Sequence, residues 1–147
     1  MDADPLRAIQ ETLGHRFADT RLLARALTHA SYAHEHPPEA DQEPLAFVGD
    51  AVLGLIVAER LIAQSPAAPV GVLTPARADL VSGANLARWA AVLDLGALVR
   101  LGRGEDLSGG RERESILATT LEAVVGALYL EAGLDGVRRT VARLAEW

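Results

Sequence analysis

Residues 45–58, LAFVGDAVLGLIVA, form an apolar run that carries one charged side chain, Asp50. An ionised carboxylate taken out of water without a partner is costly, so it finds a cation, several hydrogen-bond donors or a proton. Whatever fold this run enters must set one of these opposite Asp50. The run reaches Glu59 and Arg60 after about fourteen residues, short of the roughly 20 that a bilayer-spanning helix needs. The opening MDADPLRAIQ lacks the basic start and apolar core of a secretory signal. A soluble, cytoplasmic protein with no membrane contact is therefore expected. The absence of cysteine excludes disulfides and thiolate metal sites and fits a reducing compartment.

A chain of 147 residues is the size of one domain with a sizeable core. Half of it is hydrophobic, and its long segments are rich in Ala, Leu and Arg, all strong helix formers. An all-α fold is expected. Pro5 to Leu13 reads as a short helix closed by Gly14, and Asp19-Thr20 as the cap of a second helix over RLLARALTHA. SYAHEHPPEADQ reads as a loop. Asp41 then caps a long helix to about residue 63, with Pro44 in its first turn and apolar residues on every face, as befits the buried centre of a domain. Residues 65–73 read as a loop, with Thr74-Pro75 opening a helix that reaches Leu95 with a break at Ser82-Gly83. After the Gly-rich loop LGRGEDLSGGRERES, a second apolar helix covers roughly residues 113–132 and stops at Gly133, and an amphipathic helix closes the chain.

Helical spacing narrows the question of what faces Asp50, because positions three, four or seven apart share a face. Glu43 lies on that face at its solvent end, and the position one turn before Asp50 is Ala46. In the second apolar helix, Glu122 is the only charge in SILATTLEAVVGALYL. Bringing Asp50 and Glu122 together is the economical arrangement. Two adjacent carboxylates repel unless a proton or cation lies between them, and a hard ion such as Mg2+ suits carboxylate oxygens. Spacing leaves two alternatives open: a metal site, or structural acids satisfied by Arg and backbone donors.

Longer motifs carry a resemblance. QEPLAFVGDAVL resembles the ribonuclease III family signature NERLEFLGDAVL, and ALTHASYAHE upstream resembles the family's ALTHRSY segment. Downstream, LGRGEDLSGGRERESILATTLEAVVGALYLEAG is similar to the family pattern LGxGExxSGGRxRxSILADxxEAxxGAxYLD. The resemblance implies a single endonuclease-type domain over residues 1–147; family members commonly carry a separate double-stranded-RNA-binding domain after it, for which 147 residues are expected to leave no room. It also implies a homodimer formed through the signature helix, and Mg2+- or Mn2+-dependent cleavage of double-stranded RNA in which a metal-bound water attacks phosphorus. Glu43, Asp50 and Glu122 match family catalytic acids, with Asp50 and Glu122 as metal ligands. Phe47 matches a residue packed across the dimer, although ordinary core packing accounts for it equally well.

Four positions depart from the family pattern. Ala46 replaces its second Glu, Thr119 replaces the Asp of SILAD, and Val70 stands where Glu is frequent; Pro44 also replaces the usual Arg. Two of four metal-site carboxylates therefore remain. In a dry site each lost charge would weaken ion binding by roughly 2–5 kcal/mol, so cleavage is expected to be absent or weak. Two functional classes follow: a retired nuclease module that binds double-stranded RNA or a ribonucleoprotein, or an active endoribonuclease working with the remaining acids.

The net charge of −6 argues against non-specific adhesion to nucleic acid, but every cation is Arg, which suits phosphate contacts. Arg77, Arg111 and Arg113 are the expected RNA contacts, with Arg88 a further candidate; a solvated surface would account for them equally well. His29, His34 and His36 lack the spacing of a zinc site, and the glycines at 102, 104, 109 and 110 lack the Lys of a phosphate-binding loop.

Overall fold

The computed structural model describes residues 4–147, and all of the regular structure among them is helical. The order is α1 (Pro5–Leu13), α2 (Thr20–Ala26), α3 (Ala30–Glu35), α4 (Glu43–Gln64), α5 (Val70–Leu80), α6 (Gly83–Val92), α7 (Leu95–Leu98), α8 (Arg103–Leu107), a 3-10 turn at Gly110–Glu112 and α9 (Glu114–Leu144). The expected all-α class holds. By length and hydropathy α9 could cross a membrane, but it lies inside the domain, packed along α4 and α6.

Local chemistry sets most of the boundaries. Asp4 caps α1 by accepting from the Leu6 N–H, and Gly14 ends it with φ +70°. Asp19 caps α2 in the same way through Arg21. Ser82 Oγ accepts from the Asn85 N–H and starts α6 at the anticipated break. Gly133, with φ +69°, kinks α9 where the sequence places a stop.

Tertiary contacts redraw the other boundaries. The helix expected over RLLARALTHA ends at Ala26, because the Arg100 N–H donates to Leu27 O at 2.7 Å and Arg100 O accepts from the His29 N–H at 3.0 Å. The expected loop SYAHEH instead opens with α3, capped by His29 Nδ1 accepting from Ser31 N–H and tied down by Glu35 accepting from Arg103 N–H. Thr74-Pro75 does not start a helix. Extended Pro69 does, and Pro75 lies inside α5 with Gly71, whose carbonyl its missing N–H would have met, exposed to solvent. The Gly-rich segment folds into α8 and the 3-10 turn.

Asp41 accepts from the Glu43 N–H at 2.9 Å but lies one residue before the N-cap position of α4, which falls to the next residue. Its neighbour Gln42 is fully buried and was not anticipated. The Gln42 amide donates to Ala26 O at 2.7 Å and to Thr120 Oγ1 at 3.2 Å, joining α2, α4 and α9. Only one face of α4 is buried, by Leu45, Ala46, Gly49, Val52, Leu53, Ile56 and Val57. Phe47, Leu55 and Ile62 are exposed, contrary to the expectation of a helix enclosed on every side.

Where α4 crosses α9 the two backbones touch. A methyl group on Gly49 would overlap the carbonyl oxygen of Glu122, and one on Gly126 would overlap that of Leu45. Both overlaps are with backbone, which no rotamer change relieves. Gly54, on the same helix, has open space around it. Gly49→Ala should therefore lose more than about 3 kcal/mol of stability in urea unfolding, the upper end of ordinary overpacking. Gly54→Ala should hold or gain up to about 1 kcal/mol.

Candidate functional site

The Gly49–Gly126 contact decides what faces Asp50. Asp50 follows Gly49, and Glu122 lies one turn before Gly126, so the crossing sets the two carboxyl groups within hydrogen-bonding reach. Asp50 is exposed and Glu122 half-buried. The carboxyl of Glu122 is pushed up to about 7, first by burial, then by its hydrogen bond with Asp50 and by the charge of Asp50. The partner of Asp50 is a second acid, and a proton fits between them.

Among the described residues, the surroundings supply no third anion. Ala46, one turn before Asp50, is 8% exposed and buried against the core; Thr119, one turn before Glu122, offers a half-buried hydroxyl. Glu43 is exposed in the first turn of α4, about 10 Å along the axis from Asp50 at 1.5 Å per residue. Val70 is exposed at the first position of α5. Among the described residues no group of three or more His, Cys, Asp or Glu side chains is placed to hold a metal ion. Asp50 and Glu122 are brought together, and Glu43 stands apart. The expectation of a dry site is corrected by the exposure of Asp50, which lowers the cost of leaving its charge unpaired.

Two of the three expected RNA-contacting arginines have work inside the fold. Arg111 donates to Asp106 at 2.9 Å and to Val99 O at 2.7 Å, and Arg113 pairs with Glu105 and donates to Ser108 O. Arg77 is exposed and has no carboxylate partner among the described residues, and the same holds for Arg88. Phe47 is 82% exposed, which removes the core-packing alternative for this side chain. The histidines take local roles: His29 caps α3, and His36 stacks on Tyr32 with ring centroids 4.0 Å apart.

Glu131, like Gln42, escaped the sequence reading. It accepts from the N–H groups of Ala18 and Asp19 at 2.9 and 2.8 Å and meets His15 Nε2 at 2.7 Å, tying the α1–α2 connection to α9. Burial raises its carboxyl, but these donors outweigh burial and hold it below the usual range. Its signal was a lone acid just before the Gly133 stop.

With this arrangement in view, the comparison with known proteins is decisive. The model of the ribonuclease-III-like family matches residues 19–145. The chain belongs to that family. It is 45% identical over 144 residues to Ribonuclease 3 of Syntrophobacter fumaroxidans, covering 97% of this chain and 60% of that protein. It is 49% identical over 133 residues to Ribonuclease 3 of Symbiobacterium thermophilum, covering 90% and 56%. The chain thus spans little more than half the length of these relatives. Among solved structures, a nuclease domain of ribonuclease III from Campylobacter jejuni, described for structural flexibility in the region involved in dimer formation, superposes with a TM-score of 0.90 at 37% identity, covering 96% of both chains. A second structure of that nuclease domain, at 2.2 Å, gives 0.90 at 36% identity.

The raised carboxyl of Glu122 has a stability consequence. Between the unfolded value of 4.5 and about 7, the folded protein keeps a proton that the unfolded chain releases. The stabilisation this group provides is complete below the lower value and is lost as pH rises through the upper one. In chelator-containing buffer, the wild type should lose stability relative to Glu122→Gln between about pH 5 and about pH 8. Parallel urea midpoints for the two proteins across that range would contradict it.

Proposed function

We propose that this chain acts as a ribonuclease III-type module that binds double-stranded RNA as a homodimer, with phosphodiester cleavage weak or absent. The observation carrying this reading is the reduced acid set: Asp50 and Glu122 meet, while Ala46 and Thr119 occupy the adjacent turns. Members of the family use divalent ions such as Mg2+. Two carboxylates and a hydroxyl suit an ion that keeps most of its water, and fall short of one held tightly, because Mg2+ dehydrates reluctantly. When bound, such an ion would activate water and offset charge developing on a phosphate. Asp50 and Glu122 are the groups that would hold it, and Glu122 must first lose the proton it favours near neutrality.

Double-stranded RNA is read through shape, phosphates and 2′-hydroxyls, so a few well-placed arginines position it without sequence readout. Arg77 and Arg88 are exposed and uncommitted to carboxylates, whereas Arg111 and Arg113 serve mainly to brace the segment before α9. With a net charge of −6, affinity is expected to be low and strongly salt-dependent. A ribonucleoprotein surface is the alternative partner. Dimerisation is supported by the exposed apolar stripe of Phe47, Leu55 and Ile62 along α4.

An active enzyme remains the second reading, favoured by the 45–49% identity to proteins named Ribonuclease 3. Incubating a labelled RNA duplex with the wild type, Asp50→Asn and the double variant Ala46→Glu/Thr119→Asp across Mg2+ and Mn2+ titrations separates the two. Cleavage only by the double variant is the expected result. Cleavage by the wild type at ordinary Mg2+, abolished in Asp50→Asn, would establish the enzyme instead. In sedimentation, Phe47→Ser should shift the dimer to monomer while leaving the helical circular dichroism unchanged; an unaltered dimer would remove α4 from the interface.

A further inference from the structure

A second cluster of unusual side chains lies at the far end of α4, ten residues beyond Asp50 and about 15 Å along the helix. There α4 and the last turns of α9 enclose a cleft of about 280 Å³. Its walls are Ile56, Ala63 and Ala142, with the indole of Trp147 on one side. Two guanidinium groups reach it. Arg138 is fully engaged, donating to both oxygens of Glu59 at 3.0 Å and to Asp135 at 2.7 Å. Arg60 is not: it has no carboxylate partner among the described residues, its Nε is buried without a hydrogen bond, and its guanidinium carbon lies 5.3 Å from the centre of the Trp147 ring.

The Nε of Arg60 is closed off from the cleft, and the terminal nitrogens of its guanidinium are the donors open to a ligand. Stacking on an indole compensates the charge of a guanidinium but leaves its N–H groups unsatisfied. Because Glu59 neutralises Arg138, the lining keeps one uncompensated positive charge, that of Arg60. The planar fork of a guanidinium matches the two oxygens of a carboxylate. The apolar walls and the indole favour a flat hydrocarbon body. At the ~30 Å³ occupied by one water in the liquid, the cleft has room for roughly nine or ten heavy atoms.

We propose that the Arg60–Trp147 cleft is a binding site for small monocarboxylates with a flat apolar body, independent of the Asp50–Glu122 pair. The carboxylate pairs with the guanidinium of Arg60 and the body lies between Trp147 and the Ile56, Ala63 and Ala142 wall. A dianion is disfavoured because Glu59 lies in the same lining, and a neutral isostere leaves the Arg60 charge uncompensated.

The chain provides its own reporter in Trp147; its other tryptophan, Trp89, is buried in the core and lines a neighbouring pocket with Trp147, outside the proposed cleft. The indole N–H resonances are followed by NMR while phenylacetate is added, with phenylacetamide as the neutral control; loss of one signal in Trp147→Phe assigns the peak. The expected result is a saturable shift of the Trp147 signal, half complete at about millimolar phenylacetate, larger than any shift of the Trp89 signal. Phenylacetamide should bind at least about tenfold more weakly, as should phenylacetate to Arg60→Met. No saturation by about 50 mM, equal response to acid and amide, or an undiminished response in a folded Arg60→Met protein would each overturn the proposal. The acid–amide comparison is made on the wild type, so it stands even if the Arg60 variant does not fold.

Discussion

The structure depends on two helices being allowed to touch through their backbones. Gly49 on α4 and Gly126 on α9 each face a carbonyl oxygen of the other helix at a separation no side chain would permit. This approach lets Leu53, Ile56, Leu121, Val124, Val125 and Leu128 bury fully or nearly so in one continuous core. It also holds Asp50 beside Glu122, so the packing constraint and the chemistry of the site share one origin. The buried Gln42–Thr120 hydrogen bond pins the same two helices a few turns away, and an amide in that position must keep its partners, because an unsatisfied buried donor costs about 1–3 kcal/mol.

The acid pair shows how two neighbouring carboxyl groups settle their repulsion. With two carboxylates close together and no third or fourth anion, the lowest-energy partner at neutral pH is a proton, and the raised carboxyl of Glu122 expresses that preference. A family site built to hold a divalent ion needs the opposite, a set of anions that a proton cannot neutralise. Ala46 and Thr119, in the adjacent turns, add no charge to the pair and do not disturb the helices that carry them, since Ala is the best helix former and Thr119 lies on a long, well-packed helix. The fold does not by itself set the chemistry of this pair, and function must be argued from the site.

Charge on the remainder of the surface is mostly committed to structure. Arg100 braces α3 through Thr28 and lies 4.8 Å over Tyr32, Arg111 and Arg113 hold the α8 segment, and Arg138 ties α9 to α4. A chain without Lys uses the arginine fork to bridge carbonyls and carboxylates across loops, which a lysine ammonium does less well. Among the arginines whose side chains make no hydrogen bond or ion pair with the described residues, which also include Arg16, Arg103 and Arg139, it is Arg60, Arg77 and Arg88 that carry the binding roles proposed above.

The sequence by itself determined the all-α class, the cap at Asp19, the break at Ser82-Gly83, the stops at Gly14 and Gly133, and the two apolar helices with one acid each. These are local matters, settled by capping chemistry, glycine conformation and helical periodicity. Membership of the family was equally legible. Only the tertiary structure decided that α2 ends at Ala26, that SYAHEH is helical and that α5 begins before Thr74, because backbone pairing with Arg100 and the turn at Pro69 override local preference. It alone decided that Glu131 and Gln42 serve as clamps, that Phe47 faces outward, that Asp50 is wet, and that Glu43 stands apart from the pair. Each of these depends on which faces of distant segments meet, and spacing along one helix carries no information about the partner it will find.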